Sequence, residues 1–294
     1  MKILIIYFSG TGNTEKVAKQ YKAAFEQQSA QVDLVSLPLG EEKIDFNGYD
    51  LIGFGYPIHA FNPPSNVLRF AKSIKKCQEK KRAFIFKTSG EPVRMSDVSS
   101  LKLIRLLKKR NIRVFNEYQY VMPYNIIFRH TDEMAYRMWN TAQQVIPIDC
   151  KEILSGTPRK AKKMFLGGFL AWVLRIEHWG GRLIGRHYRV TDACIECRKC
   201  EKNCPTQNIR ISDSGKFKFG KECLICMRCS FFCPTNAIRI SLLEQWKVNG
   251  AYSFAPPSAD ASPVKDRHAN YCAKAYKRYF AAAEQKIRNH NHSI

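Results

Sequence analysis

The chain has 294 residues, and its 48 Lys and Arg against 25 Asp and Glu give a formal charge of +23. That length suits one domain of about 150 residues plus a smaller module, and so basic a chain attracts acidic proteins, anionic lipid or nucleic acid. No cleavable signal is visible, which with eleven cysteines argues for reduced thiols in a reducing cytoplasm and against a disulfide framework.

The first element is an unbroken apolar run, Lys2–Phe8, of the kind seen in a strand buried on both faces. It stops at Ser9, Gly10, Thr11, Gly12, Asn13 and Thr14, and a helical pattern over Glu15–Gln27 follows at once. Such a turn offers backbone N–H groups, polar side chains and a helix N-terminus to a phosphate. It matches neither G-x4-G-K-[ST] nor G-x-G-x-x-G. Further strands are predicted at Gln31–Leu37, Asp50–Gly55, Arg82–Lys87 and Arg113–Val121, with helices near Ser65–Lys76 and Ser99–Arg110. This alternation specifies a doubly wound parallel sheet with helices on both faces. In the strand order 2-1-3-4-5 a ligand sits between the carboxyl ends of the first and third strands. The Ser9–Thr14 turn and the Tyr56–Pro64 loop would meet there.

On these motifs residues 1–154 resemble flavodoxins. The resemblance implies FMN, with Ser9, Gly10, Thr11, Gly12, Asn13 and Thr14 at its phosphate. Tyr56, Pro57, Ile58, His59, Ala60, Phe61 and Asn62, together with Thr88, Ser89, Gly90 and Glu91, would flank its ring. The later loop, Gly90–Arg94, has no aromatic, so Tyr56, His59 and Phe61 are the candidate ring-facing side chains and Arg94 a candidate cation near the ring.

Basic residues are concentrated at 72–82, at 102–113 and at Arg159, Lys160, Lys162 and Lys163. The last group precedes an apolar stretch, Met164–Leu174, within an interdomain segment at 155–189. Eleven residues are too few to span a membrane. The stretch is expected to pack between domains, with Trp172 and Trp179 at a membrane interface as the alternative.

Eight cysteines form CIECRKCEKNCP from Cys194 and CLICMRCSFFCP from Cys223, each C-x2-C-x2-C-x3-C-P. Three closely spaced thiolates grip three irons of a [4Fe–4S] cube, and the fourth, too far along to fold back, ligates the other cluster. Cys194, Cys197, Cys200 and Cys233 therefore form one set, and Cys223, Cys226, Cys229 and Cys204 the second. Zinc would leave the third and fourth cysteine of each run unused. CPTQNIRI (204–211) and CPTNAIRI (233–240) repeat at the same 29-residue offset, so the module is two loop–helix–strand units, with Pro205 and Pro234 expected to open short helices. Residues 190–242 resemble bacterial dicluster 2[4Fe–4S] ferredoxins, a small α+β domain that carries single electrons. The whole chain resembles flavodoxin–ferredoxin fusion proteins of anaerobic bacteria.

In the C-terminal extension, 243–294, Ala255–Pro263 reads as an irregular linker and Asn270–Arg288 as a docked amphipathic helix. Cys77, Cys150 and Cys272 are expected to be structural.

The expected function is electron transfer between FMN and two clusters, through unidentified donor and acceptor proteins with acidic surfaces. An FMN-dependent oxidoreductase acting on a small substrate such as a quinone is the first alternative. A basic nucleic-acid-binding protein with structural clusters is the second, supported by charge alone. Bound cofactors would lower the net charge only to about +17. Peripheral contact with an anionic membrane also fits that charge.

Overall fold

Strand β1 (Lys2–Tyr7) runs between β2 (Gln31–Ser36) and β3 (Leu51–Pro57), and β4 (Lys81–Ser89) and β5 (Ile112–Val121) follow beyond β3. This computed structural model describes residues 1–38, 44–161, 164, 166–257, 268 and 270–292. All four neighbouring pairs are parallel, in the order β2-β1-β3-β4-β5, as the sequence predicts.

The two-residue period of β1 divides the core. Ile3, Ile5 and Tyr7 face helices α1 (Asn13–Glu26) and α4 (Asp132–Leu154), while Leu4, Ile6 and Phe8 face α2 (Ser65–Ser73) and α3 (Leu101–Lys109). Helix α4 is not anticipated from sequence. Its inward positions, among them Ala135, Met138, Trp139, Ala142 and Ile146, follow helical spacing, but Pro147 interrupts the pattern. Thr131 caps it, its side chain accepting from the Met134 N–H.

The cluster module pairs β6 (Arg189–Val190) with β9 (Ile238–Arg239) and β7 (Ile209–Ile211) with β8 (Phe217–Phe219), both antiparallel. The short helices α7 (Lys199–Lys202) and α8 (Arg228–Phe231) lie before the fourth cysteine of each run. This corrects the expectation that Pro205 and Pro234 open helices: each sits in a turn that Gln207 or Asn236, at positive φ, bends back.

Between the modules lie α5 (Gly167–Leu174) and α6 (Glu177–Ile184). The expectation that this segment packs between domains holds for its small residues and for Ile184, which packs on the Tyr188 and Met227 cluster. A Cβ on Gly167 would meet Val98, on Gly181 Ile225, and on Gly185 Cys223. Most of its other large side chains point outward, with Phe169 63%, Ile176 72% and Trp179 69% exposed. Lys162, Lys163 and residue 165 lie outside the described residues, as does most of the expected 255–263 linker. The C-terminal helix α9 (Ala273–Asn291) docks as expected, Tyr276 and Phe280 packing on Val121 and Met138. Cys77 and Cys150 are buried.

Candidate functional site

Each expected cysteine set rings its own cavity. Cys194, Cys197, Cys200 and Cys233 line one, and Cys204, Cys223, Cys226 and Cys229 line the next, with Cys229 in the wall of both. The backbone repeats the sequence offset. Glu196 and Ile225, Arg198 and Met227, and Gln207 and Asn236 are pairs of positive-φ residues 29 positions apart. Non-glycine residues hold that conformation at a cost, which is characteristic of loops shaped around a ligand. Asn208 N–H donates to Cys204 Sγ and Ala237 N–H to Cys233 Sγ, each at 3.2 Å.

Burial pushes the Cys223 thiol up to about 12 and raises Cys226 and Cys229 as well. Iron coordination would deprotonate them outright. Among the described residues no three Cys, His, Asp or Glu side chains converge as one metal ion requires. Two rings of four thiols around separate cavities fit multi-iron clusters better than tetrahedral zinc. The first set is the more open: Cys197 and Ile195 are exposed, whereas Cys226 is buried.

A cavity of about 440 Å³ opens at the carboxyl ends of β1, β3 and β4. Ser9, Gly10, Thr11, Asn13 and Thr14 line it, as do Pro57, Ile58, His59, Ala60 and Phe61 from the loop after β3 and Thr88, Ser89, Gly90 and Glu91 from the end of β4. Gly12 stands behind the turn at φ 100°, where a side chain is strained, and its N–H donates to Ser9 Oγ at 3.1 Å. Thr14 and Thr88 hydroxyls are 2.7 Å apart, joining the Ser9–Thr14 turn to the end of β4.

Three expectations need correction. Tyr56 is fully buried in the α2–α3 core, its hydroxyl 3.4 Å from Ser99 Oγ, because its position in β3 points it away from the cavity. Asn62 is consumed structurally: its amide donates to Ala60 O and Ala171 O at 2.9 Å, and its carbonyl accepts from Arg175 Nε at 3.0 Å, anchoring α5. Arg94 is exposed and does not line the cavity.

Sequence reasoning missed the loop after β5. Residues 122–127 line the cavity, and Tyr124 supplies the aromatic that Gly90–Arg94 lacks. A Cβ on Gly90 would sit 2.1 Å from the Tyr124 ring, so glycine is required there. The run of polar and apolar residues after a predicted fifth strand was the available signal. Trp246, Leu243 and Ile184 complete the wall.

Ionisable groups in the wall are desolvated. Burial, with a contribution from His178, lowers His59 to about 4, so its imidazole is neutral at pH 7. Burial raises Glu91 to about 6 and Glu177 to about 7, and each has a buried Oε2 without a hydrogen-bond partner.

The cluster loop forms part of the same wall through Ile225. A Cβ on Gly10 would lie 2.5 Å from the Cys226 carbonyl oxygen, so only glycine lets the Ser9–Thr14 turn approach the Cys226 backbone this closely. Arg228, between Cys226 and Cys229, donates to Ser9 O at 2.6 Å and Gly10 O at 2.7 Å.

The flavodoxin-domain family model matches residues 4–112, and the 4Fe-4S dicluster-domain model matches residues 193–238. An uncharacterized protein of Methanocaldococcus jannaschii is 33% identical over 119 residues, 40% of this chain and 73% of that protein. Among solved structures, a flavodoxin from the domain Archaea is 15% identical, covering 53% of this chain and 99% of that one at a TM-score of 0.37. Oxidised flavodoxin 1 from Bacillus cereus is 19% identical, covering 51% and 98% at a TM-score of 0.36. The chain therefore carries an N-terminal flavodoxin domain and, on its C-terminal side, a 4Fe-4S dicluster domain.

Proposed function

We propose that this protein transfers electrons between FMN, held in the cavity at the ends of β1, β3 and β4, and two [4Fe–4S] clusters held by the crossed cysteine sets. Bound flavin supplies the conversion between two-electron and one-electron chemistry, and the clusters supply single-electron steps. The observation that carries this reading is the approach of Cys226 to Gly10, which seats the second cysteine set against the phosphate turn.

Each module contributes to the arrangement. The Ser9–Thr14 turn directs its backbone toward the phosphate, Ile225 brings the cluster loop into the flavin cavity wall, and Arg228 fastens loop and turn together. The Cys194 set, more exposed, is the port for an external partner, and the chain's net charge of +23 suits an acidic one. Electrons would pass between partner and flavin through the Cys194 set and then the Cys223 set.

A second reading rests on Glu177 and Glu91. Carboxyls that hold a proton near neutral pH inside the flavin cavity can supply it to a small bound substrate, as a reductase needs.

Anaerobic reconstitution tests the composition. About eight irons and one FMN per chain support the reading; iron without flavin would reduce the N-terminal domain to a scaffold.

A further inference from the structure

Helices α5 and α6 reverse the usual pattern of a surface helix. Such a helix turns its large apolar residues to the core and polar ones to water. Here Gly167, Ala171, Gly181 and Gly185 face the protein. Leu166, Phe169, Trp172, Ile176, Trp179 and Leu183 face outward, each at least 61% exposed. The Phe169 and Trp172 rings stack with centroids 5.9 Å apart on the outer face of α5. An apolar surface of this kind marks an interaction site.

Cations lie on the same segment and beside it. Lys102 lies within electrostatic range of Arg175 and Lys72, and Arg175 within range of Arg105; burial and then these like charges lower both Lys102 and Arg175. Arg182 stands over the Trp179 ring at 5.4 Å. Among the described residues no carboxylate forms a salt bridge with any of the five.

We propose that the outer face of α5 and α6 docks on an anionic lipid bilayer. An apolar, tryptophan-bearing face with Lys and Arg beside it suits the boundary between acyl chains and acidic headgroups. A second copy is the poorer occupant, because a two-fold interface would set these cations against their own copies. Among the described residues no helix is long and apolar enough to cross a membrane, so the contact lies in the interface plane. The inference does not depend on the electron-transfer reading. It has a consequence for it, since Glu177 and Ile184 on α6 also wall the 440 Å³ cavity, and docking would bring that cavity beside lipid.

Flotation of the full, cofactor-loaded chain tests the proposal, with vesicles of phosphatidylcholine alone and of phosphatidylcholine mixed with phosphatidylglycerol. The protein is expected to float with the mixed vesicles, with a blue-shifted tryptophan emission, and to be released by salt. The F169S/W172S/W179S variant should lose this binding while keeping its iron, flavin and circular dichroism. Should that variant fail to fold, K102Q/R105Q decides: losing two charges near the bilayer should weaken partition about fivefold per charge. Failure of the parent protein to float, or flotation that both variants retain, would overturn the proposal. A concentration-dependent dimer abolished by the triple variant, in place of flotation, would overturn it in favour of a second copy.

Discussion

Arg228 donates to the carbonyl oxygens of Ser9 and Gly10, so a side chain between Cys226 and Cys229 is bonded to the turn that lines the 440 Å³ cavity. Hydrogen bonds from a charged donor contribute about 1.5–3 kcal/mol each when partly buried. Arg228→Met, which removes both bonds, is therefore expected to lower stability by about 3 kcal/mol or more and to loosen the junction, as denaturant unfolding of the loaded protein would measure. Gly10→Ala should act more severely, because its Cβ would lie 2.5 Å from backbone that cannot swing aside. Flavin content is expected to fall in that variant while iron content is retained.

Crossed ligation makes a pointed prediction for Cys204, which shares a cavity with Cys223, Cys226 and Cys229 rather than with its sequence neighbours. Cys204→Ala should deplete the cluster of the Cys223 set and spare that of the Cys194 set. Iron analysis with electron paramagnetic resonance distinguishes the two, and selective loss of the Cys194-set cluster would show the assignment to be reversed.

Glu177 sets a pH dependence. Burial raises its carboxyl from the ordinary 4.5 to about 7, so between those values the unfolded chain releases a proton that the folded chain keeps. The folded protein then binds more protons than the unfolded one, and stability must fall as pH rises through that window. Glu177→Gln should flatten this decline in flavin-free protein, as melting temperatures across the window would show; Glu91, raised to about 6, leaves a smaller slope at lower pH.

Tyr188 is 5% exposed, lines the cavity of the Cys223 set and turns its buried hydroxyl toward the Cys223 thiol. A donor buried beside Cys223 can bond a cluster sulfur, and hydrogen bonds to sulfur raise a cluster's reduction potential. Tyr188→Phe should make that cluster's potential more negative and leave the other unchanged in a spectroscopic redox titration. Equal shifts in both would point to a general structural effect.

The parts of the site legible in the sequence were those fixed by short-range chemistry. Cysteine spacing assigned the two sets that line separate cavities, and five apolar runs with polar turns specified the strand–helix alternation, while the strand order came from the likeness to flavodoxins. Tyr56 was misread because a loop position and the last turn of a strand look alike in sequence, while the pleat decides which way the ring points. Tyr124 was missed because its approach to Gly90 joins loops after two different strands, a contact that no local pattern encodes. Helices α5 and α6 show the same limit. Their apolar composition was plain, but only the packing of Gly181 on Ile225 and Gly185 on Cys223 reveals which face is inward.

The most direct measurement is rapid reduction of the loaded protein under anaerobic conditions, following flavin and cluster absorbance at several protein concentrations. An intramolecular relay across Gly10 and Cys226 should equilibrate the two signals at a rate independent of concentration, and Gly10→Ala should slow it in whatever fraction retains flavin. A rate proportional to protein concentration, or clusters that reduce without any exchange with flavin, would contradict it.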